Sequence, residues 1–243
     1  LYLIGLGLNN DFILEGLNAA KRCHTHLESY TSFLTVSVQD LERILKKKIT
    51  TLTREDVEET QQFLKEAQTT DVALLVVGDP LVATTHAEII IEARKQNIKT
   101  KVIHNSSVYS AVAETGLQIY KFGKTVTIPF PQKGFEPTSF YEILQNNKSA
   151  GAHTLVLLDV LEDQKRYMSP KEAMEILYGL GFQEELVCIS RLGSADQNIV
   201  YGKIEELLSI DMEYWGSPPH CLVIPSILHF KEEEFLQFYR VNT

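Results

Sequence analysis

Polar residues that directly follow apolar runs are the part of this sequence best suited to chemistry. The run Leu74–Val77 is aliphatic throughout and stops at Gly78, Asp79 and Pro80. An unbroken aliphatic run of this kind predicts a strand buried on both faces, as in a parallel sheet. Glycine permits a sharp exit from such a strand, and proline fixes the turn that follows. We therefore expect Asp79 at the carboxyl end of a central strand, where open α/β sheets bind their ligands.

Further polar residues take similar positions at the ends of other predicted strands. His104-Asn105-Ser106-Ser107 ends the strand that comes after that of Asp79 and begins a helix. Hydroxyls and free backbone amides at a helix start can bind an adenine edge or a carboxylate, although ordinary capping explains them equally. In the second half, the residues at comparable strand ends are Asp159, Arg191-Leu192-Gly193 and Pro218-Pro219-His220.

Gly5 and Gly7, at the end of the first predicted strand, have a spacing that resembles the start of a dinucleotide-binding fingerprint. Glu28 lies about where such a motif places the acid that binds ribose. The third glycine is replaced by Asn10, which weakens the close packing that this position requires. Glycines at a strand-to-helix turn can also be needed only for the backbone conformation of the turn, without any ligand. A nicotinamide- or flavin-binding module therefore stays an alternative that the pattern disfavours.

Other kinds of catalytic site are disfavoured because their motifs are missing. The seven histidines show no H-x-x-x-H or HExxH spacing, so a catalytic metal is not expected. The sequence also lacks a Gly-x-Ser-x-Gly elbow and a Walker lysine loop, which disfavours serine hydrolysis and NTP hydrolysis. Thr84, Thr85 and His86 lie just beyond the Asp79 loop and could face an acceptor. Helix capping and a surface histidine are the simpler interpretation.

The composition is that of an acidic globular protein. Its 243 residues carry 32 acidic and 23 basic side chains, a net charge of −9, which argues against direct binding to nucleic acid. Three cysteines form no C-x-x-C pair, and we expect buried, reduced thiols in a cytoplasmic protein; they are Cys23, Cys188 and Cys221. No apolar stretch approaches the ~20 residues of a membrane span, and no signal peptide is visible.

Strands and helices alternate in the first half of the sequence. Strands are predicted at 2–7, 24–30, 72–77 and 101–104, and helices at 12–23, 38–46, 53–68, 85–96 and 107–114. Thr53 with Asp56 and Thr85 with Glu88 are plausible capping boxes for two of these helices. This alternation predicts a parallel sheet with right-handed crossovers.

In the second half, a pattern of predicted helices and strands resumes after the proline-containing segment Pro129-Phe130-Pro131. Pro170 stands at the expected first position of a helix. Helices are predicted near 139–146, 170–178, 203–209 and 231–239, and strands at 153–159, 185–190 and 221–225. We therefore expect two α/β domains, residues 1–121 and 122–243, with a ligand cleft between them.

Several of these segments together resemble one family. They are LYLIGLGL at Leu1–Leu8, LESYTS at Leu27–Ser32, VVGDPLVATTH at Val76–His86 and VIHNSSVYSAVAETGLQIYKFGKTVTIPF at Val102–Phe130, followed by HTLVLLDV, RYMSPKEAMEIL, SRLGSADQ and PPHCLVIP. In this order they resemble the diphthine synthases, S-adenosylmethionine-dependent methyltransferases with the tetrapyrrole-methylase fold. The resemblance runs from Leu1 to about His229, and VIHNSS together with LQIYKFG is its most specific part.

The resemblance implies a two-lobed α/β fold, with a parallel-sheet N-terminal domain and a mixed-sheet C-terminal domain. It implies a homodimer in which the methyl donor, S-adenosylmethionine, binds between the lobes and leaves as S-adenosylhomocysteine. The implied acceptor is the modified histidine of translation elongation factor 2, on the route to diphthamide, with a trimethylated amine or a further methyl ester both open as products. Val82 stands where many relatives carry glycine. The implied donor-binding positions are Leu8, Asp79, Val82, Ser107, Val108, Leu158, Leu192 and His220.

The reaction implied by this resemblance does not require a particular catalytic side chain. Methyl transfer from a sulfonium is an in-line displacement, so alignment and exclusion of water are the main tasks. Because positive charge on sulfur disappears, we assign Asp79 to binding the donor's polar groups rather than to chemistry. An amine with a pKa near 8 is partly neutral at pH 7–8, so a general base is optional and no catalytic residue is assigned. A tetrapyrrole methylase of the same fold, and a partner of elongation factor 2 without turnover, stay open as alternatives.

Overall fold

The computed structural model describes residues 1–9, 11–28, 30, 33–131, 137–161 and 164–241. Asn10, the departure from the dinucleotide fingerprint, and the end of the LESYTS segment lie outside the described residues. By internal packing the chain forms two compact units, Leu1–Val108 and Tyr109–Thr243. The boundary expected between residues 121 and 122 falls inside the second unit, after a 3-10 turn at Ile119–Lys121, and stays a prediction.

The first unit contains the predicted parallel sheet. Its neighbouring strands all run parallel, in the order β3-β2-β4-β1-β5. Strand β3 is short and largely exposed at the edge, and the sequence pattern did not predict it. The strands are β1 (Tyr2–Gly5), β2 (His24–Glu28), β3 (Thr50–Leu52), β4 (Val72–Val76) and β5 (Lys101–Ile103).

Strand β4 lies at the centre of this sheet and is buried at every position. Leu74 and Val76 pack into an apolar cluster on one face, while Ala73 and Leu75 pack into another on the opposite face. Because side chains of a strand alternate between faces, a strand covered on both sides must be apolar throughout. This confirms the interpretation of the aliphatic run.

The helices of the first half are α1 (Leu14–Arg22), α2 (Val38–Leu45), α3 (Gln62–Glu66), α4 (Ala87–Lys95) and α5 (Val108–Ala111), which a 3-10 turn at Val112–Thr115 continues. The single helix predicted over 53–68 is wrong. Residues Asp56–Thr60 form a π-helical turn, and Gln61 adopts a left-handed φ of 45° before α3 begins. The predicted cap at its start is confirmed, because the Asp56 amide donates to Thr53 Oγ1 at 3.2 Å.

The predicted cap of α4 by the Thr85 side chain is wrong. His86 takes the N-cap position, where no side chain caps the helix. The Glu88 amide donates to the carbonyl oxygen of Thr85 at 3.0 Å instead of to its hydroxyl.

The second unit contains the mixed sheet, as expected. Its strand order is β11-β10-β12-β7-β6; β6 and β7 run parallel, and the other neighbours run antiparallel. Strands β8 and β9 form a separate antiparallel pair. The strands are β6 (Val126–Ile128), β7 (Thr154–Leu158), β8 (Val160–Leu161), β9 (Arg166–Tyr167), β10 (Glu185–Ser190), β11 (Asn198–Lys203) and β12 (His220–Ile224).

The helices of the second unit pack around a core that includes Trp215 and Phe182. Ser169 and Glu172 begin one of them with a reciprocal cap: the Glu172 amide donates to Ser169 Oγ at 3.2 Å, and the Ser169 amide donates to Glu172 Oε2 at 2.8 Å. Pro170 occupies the first turn, as predicted. These helices are α6 (Ser139–Ser149), α7 (Pro170–Gly179), α8 (Ile204–Leu208), α9 (Met212–Trp215) and α10 (Phe230–Leu236).

The three cysteines are buried free thiols, as predicted. Burial raises the pKa of the Cys221 thiol to about 12, and the pKa of Cys188 is also raised by burial, so both are poor nucleophiles at neutral pH. Among the described residues, no helix has the length and apolar character needed to cross a bilayer.

Candidate functional site

The loops after β1 and β4 meet through their glycines. The Gly7 amide donates to the Gly78 carbonyl at 3.0 Å, and the Gly78 amide donates back to the Gly7 carbonyl at 3.1 Å. Both glycines have positive φ, 69° and 75°, a conformation that residues other than glycine rarely adopt. A Cβ on Gly5 would lie 2.6 Å from the Gly78 carbonyl oxygen, so the loops approach too closely for a side chain there. The sequence indicated each turn but not this pairing.

Asp79 joins the loop after β4 to the segment after β5. Its Oδ1 accepts a hydrogen bond from the Leu81 amide at 3.0 Å. Its Oδ2 accepts from the Asn105 amide at 3.2 Å and from His104 Nδ1 at 2.8 Å. The carboxylate is therefore occupied by partners from the protein itself, and it fixes the loop after β4 relative to the segment after β5.

Asn105 and Ser106 extend this connection to the loop after β1. Asn105 Nδ2 donates to the carbonyls of Gly5 and Asp11 at 3.0 Å and 2.8 Å. The Leu8 amide donates to Ser106 Oγ at 3.2 Å. Strands β4, β1 and β5 are neighbours, so their following loops form one continuous edge of the sheet.

The structure brings the predicted donor-binding residues of the first half together at this edge. Leu8 and Asp79 lie in two of the connected loops, and Ser107 follows the Asn105-Ser106 segment as a buried residue. Val108 begins α5. Val82 lies half-buried in the turn after Asp79, where its amide donates to the Asp79 carbonyl at 3.3 Å. Whether these residues hold a donor stays a prediction.

His86 is fully buried, so the interpretation of this residue as a surface histidine is wrong. Its Nδ1 lies 3.1 Å from the Pro80 carbonyl oxygen, which also accepts a bond from Thr84 Oγ1 at 2.7 Å. Its Nε2 faces Glu28, itself fully buried, at 3.5 Å. Burial lowers the pKa of His86, and the bond to Pro80 partly opposes this change. His86 thus contacts the Asp79 loop through Pro80. Because Glu28 is fully buried, it cannot contact a ribose in this conformation.

The three predicted residues of the second half also share one sheet edge. Strand β12 begins at His220, opposite Ser190 at the end of β10, and Cys221 pairs with Leu157 of β7. Leu158 therefore ends β7 beside the start of β12. Leu192 follows β10 by two residues and is buried.

His220 has an unused acceptor at this edge. Its Nε2 lies 3.3 Å from the Trp215 carbonyl, which can only accept, so Nε2 carries the proton. Its Nδ1 is then a lone-pair acceptor, buried and without a partner among the described residues. Burial lowers the pKa of His220, which keeps the ring neutral. Ser190 Oγ and Trp215 Nε1 are likewise buried and have no partner among the residues that the structure describes, and the sequence pattern did not indicate either residue.

The comparisons with known proteins agree with this geometry. The family model of the tetrapyrrole (corrin/porphyrin) methylases matches residues 1–208. A diphthine synthase of Methanocaldococcus jannaschii is 41% identical over 100% of this chain and 99% of its own length, and one of Methanococcus maripaludis is 40% identical with the same coverage. A crystal structure of a diphthine synthase superposes with a TM-score of 0.91 at 33% identity, covering 98% of this chain and 95% of that one. The chain therefore belongs to the tetrapyrrole (corrin/porphyrin) methylase family and, within it, to the diphthine synthases.

Proposed function

We propose that this protein transfers methyl groups from S-adenosylmethionine to the modified histidine of translation elongation factor 2, a step in the biosynthesis of diphthamide. The observation that carries the proposal is the similarity to diphthine synthases over the whole chain. The connected loops at the edge of the first sheet support it, because hydrogen bonds between them hold this edge in place before any ligand binds. S-adenosylmethionine supplies a methyl group already activated on a sulfonium.

The first sheet would hold part of the donor at the loop that Asp79 fixes. A Cβ built on Gly78 would meet no atom within 4 Å, so there is open space in front of this glycine. A ligand can approach the backbone closely there. In this proposal Asp79 contributes chiefly by fixing the loop, since its oxygens already accept hydrogen bonds from the protein. Leu8, Val82, Ser107 and Val108 complete the surface.

The second sheet would contribute an apolar wall and one acceptor. Leu158 and Leu192 offer aliphatic surface against which a flat ring can pack. The unpartnered Nδ1 of His220 can accept a hydrogen bond from an amino or hydroxyl group of the nucleoside. A buried acceptor without a partner costs free energy in the free protein, and a ligand that donates to it recovers this cost.

We also propose that the enzyme is a homodimer that acts in the cytoplasm, where translation factors are found. Free buried thiols fit a reducing compartment. Large apolar side chains are exposed in the second unit, as expected of a surface that another copy covers; they include Tyr120 (83% exposed), Ile227 (72%), Phe230 (65%) and Phe238 (80%). Sedimentation equilibrium of the purified protein tests whether it is a homodimer, and a monomer at micromolar concentration would contradict the proposed dimer.

Intact mass spectrometry tests the main proposal. Elongation factor 2 carrying the unmethylated intermediate is incubated with the protein and S-adenosylmethionine. We expect mass steps of one methyl each on the modified histidine, and loss of one step in alkali would reveal an ester. A folded enzyme that adds no methyl to this residue would refute the proposal.

A matched pair of glycine variants tests where the donor binds. Gly78→Ala places a methyl group in the open space in front of the loop, and we expect at least a tenfold weaker affinity for S-adenosylhomocysteine in calorimetry. Gly181→Ala is the control, because Gly181 also has positive φ, 91°, with no atom within 4 Å of an added Cβ, but lies beyond α7. Equal affinities for the two variants would place the donor elsewhere.

A further inference from the structure

A histidine–carboxylate pair lies at the sheet edge where the donor is proposed to bind. His104 Nδ1 is 2.8 Å from Asp79 Oδ2. The two side chains differ greatly in exposure, 6% for Asp79 and 66% for His104. The carboxylate is thus buried, while the imidazole ring bonded to it is exposed to solvent.

The contacts of Asp79 determine which nitrogen of His104 carries the proton. The amides of Leu81 and Asn105 donate to the carboxylate, which can therefore neither turn away nor act as a donor. Nδ1 of His104 must then donate to it. In the neutral ring this leaves Nε2 with a free lone pair on the exposed side. A carboxylate that orients a histidine in this way is the arrangement used to prepare a general base.

We propose that His104 is the general base that removes the proton from the acceptor amine before methyl transfer. This inference rests on the proposed function. Besides fixing the loop, the Asp79 carboxylate then has a second task, that of orienting the base. Ser106, two residues beyond His104, accepts a bond from the Leu8 amide, so the base lies beside the residues proposed to hold the donor.

The step balances as follows in atoms and charge. An ammonium proton of the acceptor moves to Nε2 of His104, and the ring becomes an imidazolium paired with Asp79. The freed lone pair of the amine forms a bond to the methyl carbon, while the carbon–sulfur bond breaks and its electron pair stays on sulfur as a thioether. The new alkylammonium keeps the positive charge that the sulfonium loses. The exposed imidazolium then releases its proton to water, and the next transfer can begin.

His104→Asn tests the proposal with least disturbance of the loop. The amide nitrogen of asparagine lies close to the place of Nδ1 and can still donate to Asp79, but the variant has no base. At pH 7 about one amine in eleven is neutral for a pKa near 8. Loss of the base should therefore slow the first transfer about tenfold at pH 7 and less than twofold at pH 9. Affinity for S-adenosylhomocysteine should not change.

His24→Asn is the matched control. His24 is 65% exposed and pairs with Glu66, but lies at the start of β2, on the opposite edge of the parallel sheet. We expect wild-type rates from it. Within the described part of the chain, the ionisable group paired with His104 is Asp79, which both variants keep. Wild-type activity of His104→Asn at pH 7, a loss that is equal at pH 7 and pH 9, or a parallel loss of S-adenosylhomocysteine affinity would each overturn the proposal.

A measurement on the free protein tests it without any turnover. Long-range ¹H–¹⁵N NMR of histidine-labelled protein should show neutral His104 with the proton on Nδ1. The opposite tautomer would overturn the proposal. If the wild-type enzyme transfers no methyl group, the proposed function fails by itself, and this spectrum still decides whether the pair is arranged as a base.

Discussion

Glu232 is a fully buried carboxylate whose charge should stabilise the second unit strongly. It accepts hydrogen bonds from the amides of His229 and Gln118, at 2.7 Å and 2.8 Å. It also lies 3.1 Å from His153 Nε2 and forms an ion pair with Lys121. His153 Nδ1 accepts from the Ser226 amide at 2.9 Å, so its Nε2 carries a proton and donates to Glu232. These contacts tie α10 to β7 and to the 3-10 turn before β6.

The stabilisation can be worked out from the ionisation of this carboxylate. Burial raises the pKa of Glu232, but the hydrogen bonds from His229, Lys121, Gln118 and His153 outweigh it and bring the pKa from 4.5 to about 2. Each pH unit between these values corresponds to about 1.4 kcal/mol. The charged form therefore stabilises the fold by about 3 kcal/mol at pH 7. Because the folded pKa is the lower one, this contribution is present above pH 4.5 and is lost as the pH falls toward 2.

Glu232→Gln should remove this contribution, because an amide places a donor among groups that all donate. Trp215, the sole tryptophan, is buried in the same unit, so its fluorescence during urea unfolding reports the stability there. With an m-value of about 2 kcal/mol/M, the midpoint should fall by about 1.5 M at pH 7. The free-energy difference from wild type should shrink to about 2 kcal/mol at pH 3.5.

Glu233→Gln is the control, since Glu233 is the exposed neighbour on the same helix. We expect its free energy of unfolding to stay within about 0.5 kcal/mol of wild type. A loss below about 1 kcal/mol for Glu232→Gln, or one that does not decrease on acidification, would show that the buried charge does not stabilise this unit as reasoned.

Three further variants test the elements that position the site. Ser169→Ala removes the reciprocal cap of α7 and should lower the free energy of unfolding of the second unit by about 1 kcal/mol, measured by Trp215 fluorescence. Leu75→Ala leaves a cavity in the central strand, and circular dichroism during urea unfolding should show a loss of about 2–5 kcal/mol in the first unit. Gly7→Ala forces a side chain to within 2.9 Å of Asn105 Oδ1 at positive φ, so calorimetry should show weaker binding of S-adenosylhomocysteine as well as lower stability.

The sequence predicted those features that depend on neighbours along the chain. The aliphatic run of β4 predicted burial on both faces, and Gly78 after it predicted a sharp exit, which the structure makes with a positive φ. Strand β11 escaped prediction because its sequence has only three consecutive apolar residues and follows a polar segment. The predicted helix over 53–68 failed at Gln61, whose left-handed conformation has no marker such as glycine.

Contacts between distant segments could not be predicted from local patterns. The interpretation of His86 as a surface residue is wrong because the structure buries it against Glu28, which ends another strand. Because this contact buries Glu28, the resemblance of Glu28 to a ribose-binding acid is limited to its spacing in the sequence. The pairing of Gly7 with Gly78 likewise depends on two strands being neighbours, which the order of elements does not specify.

Three of the histidine–carboxylate pairs, His153–Glu232, His86–Glu28 and His104–Asp79, differ in a way that bears on their tasks. In His153–Glu232 and His86–Glu28 both partners are buried, and each ring nitrogen faces a protein group, so neither ring can pass a proton to a ligand. Such pairs fix the fold. In His104–Asp79 only the acid is buried, and the ring presents its second nitrogen to the outside. A buried acid keeps the ring in one tautomer, and an exposed ring can exchange its proton with solvent between turnovers, as the proposed methylation of an amine would require.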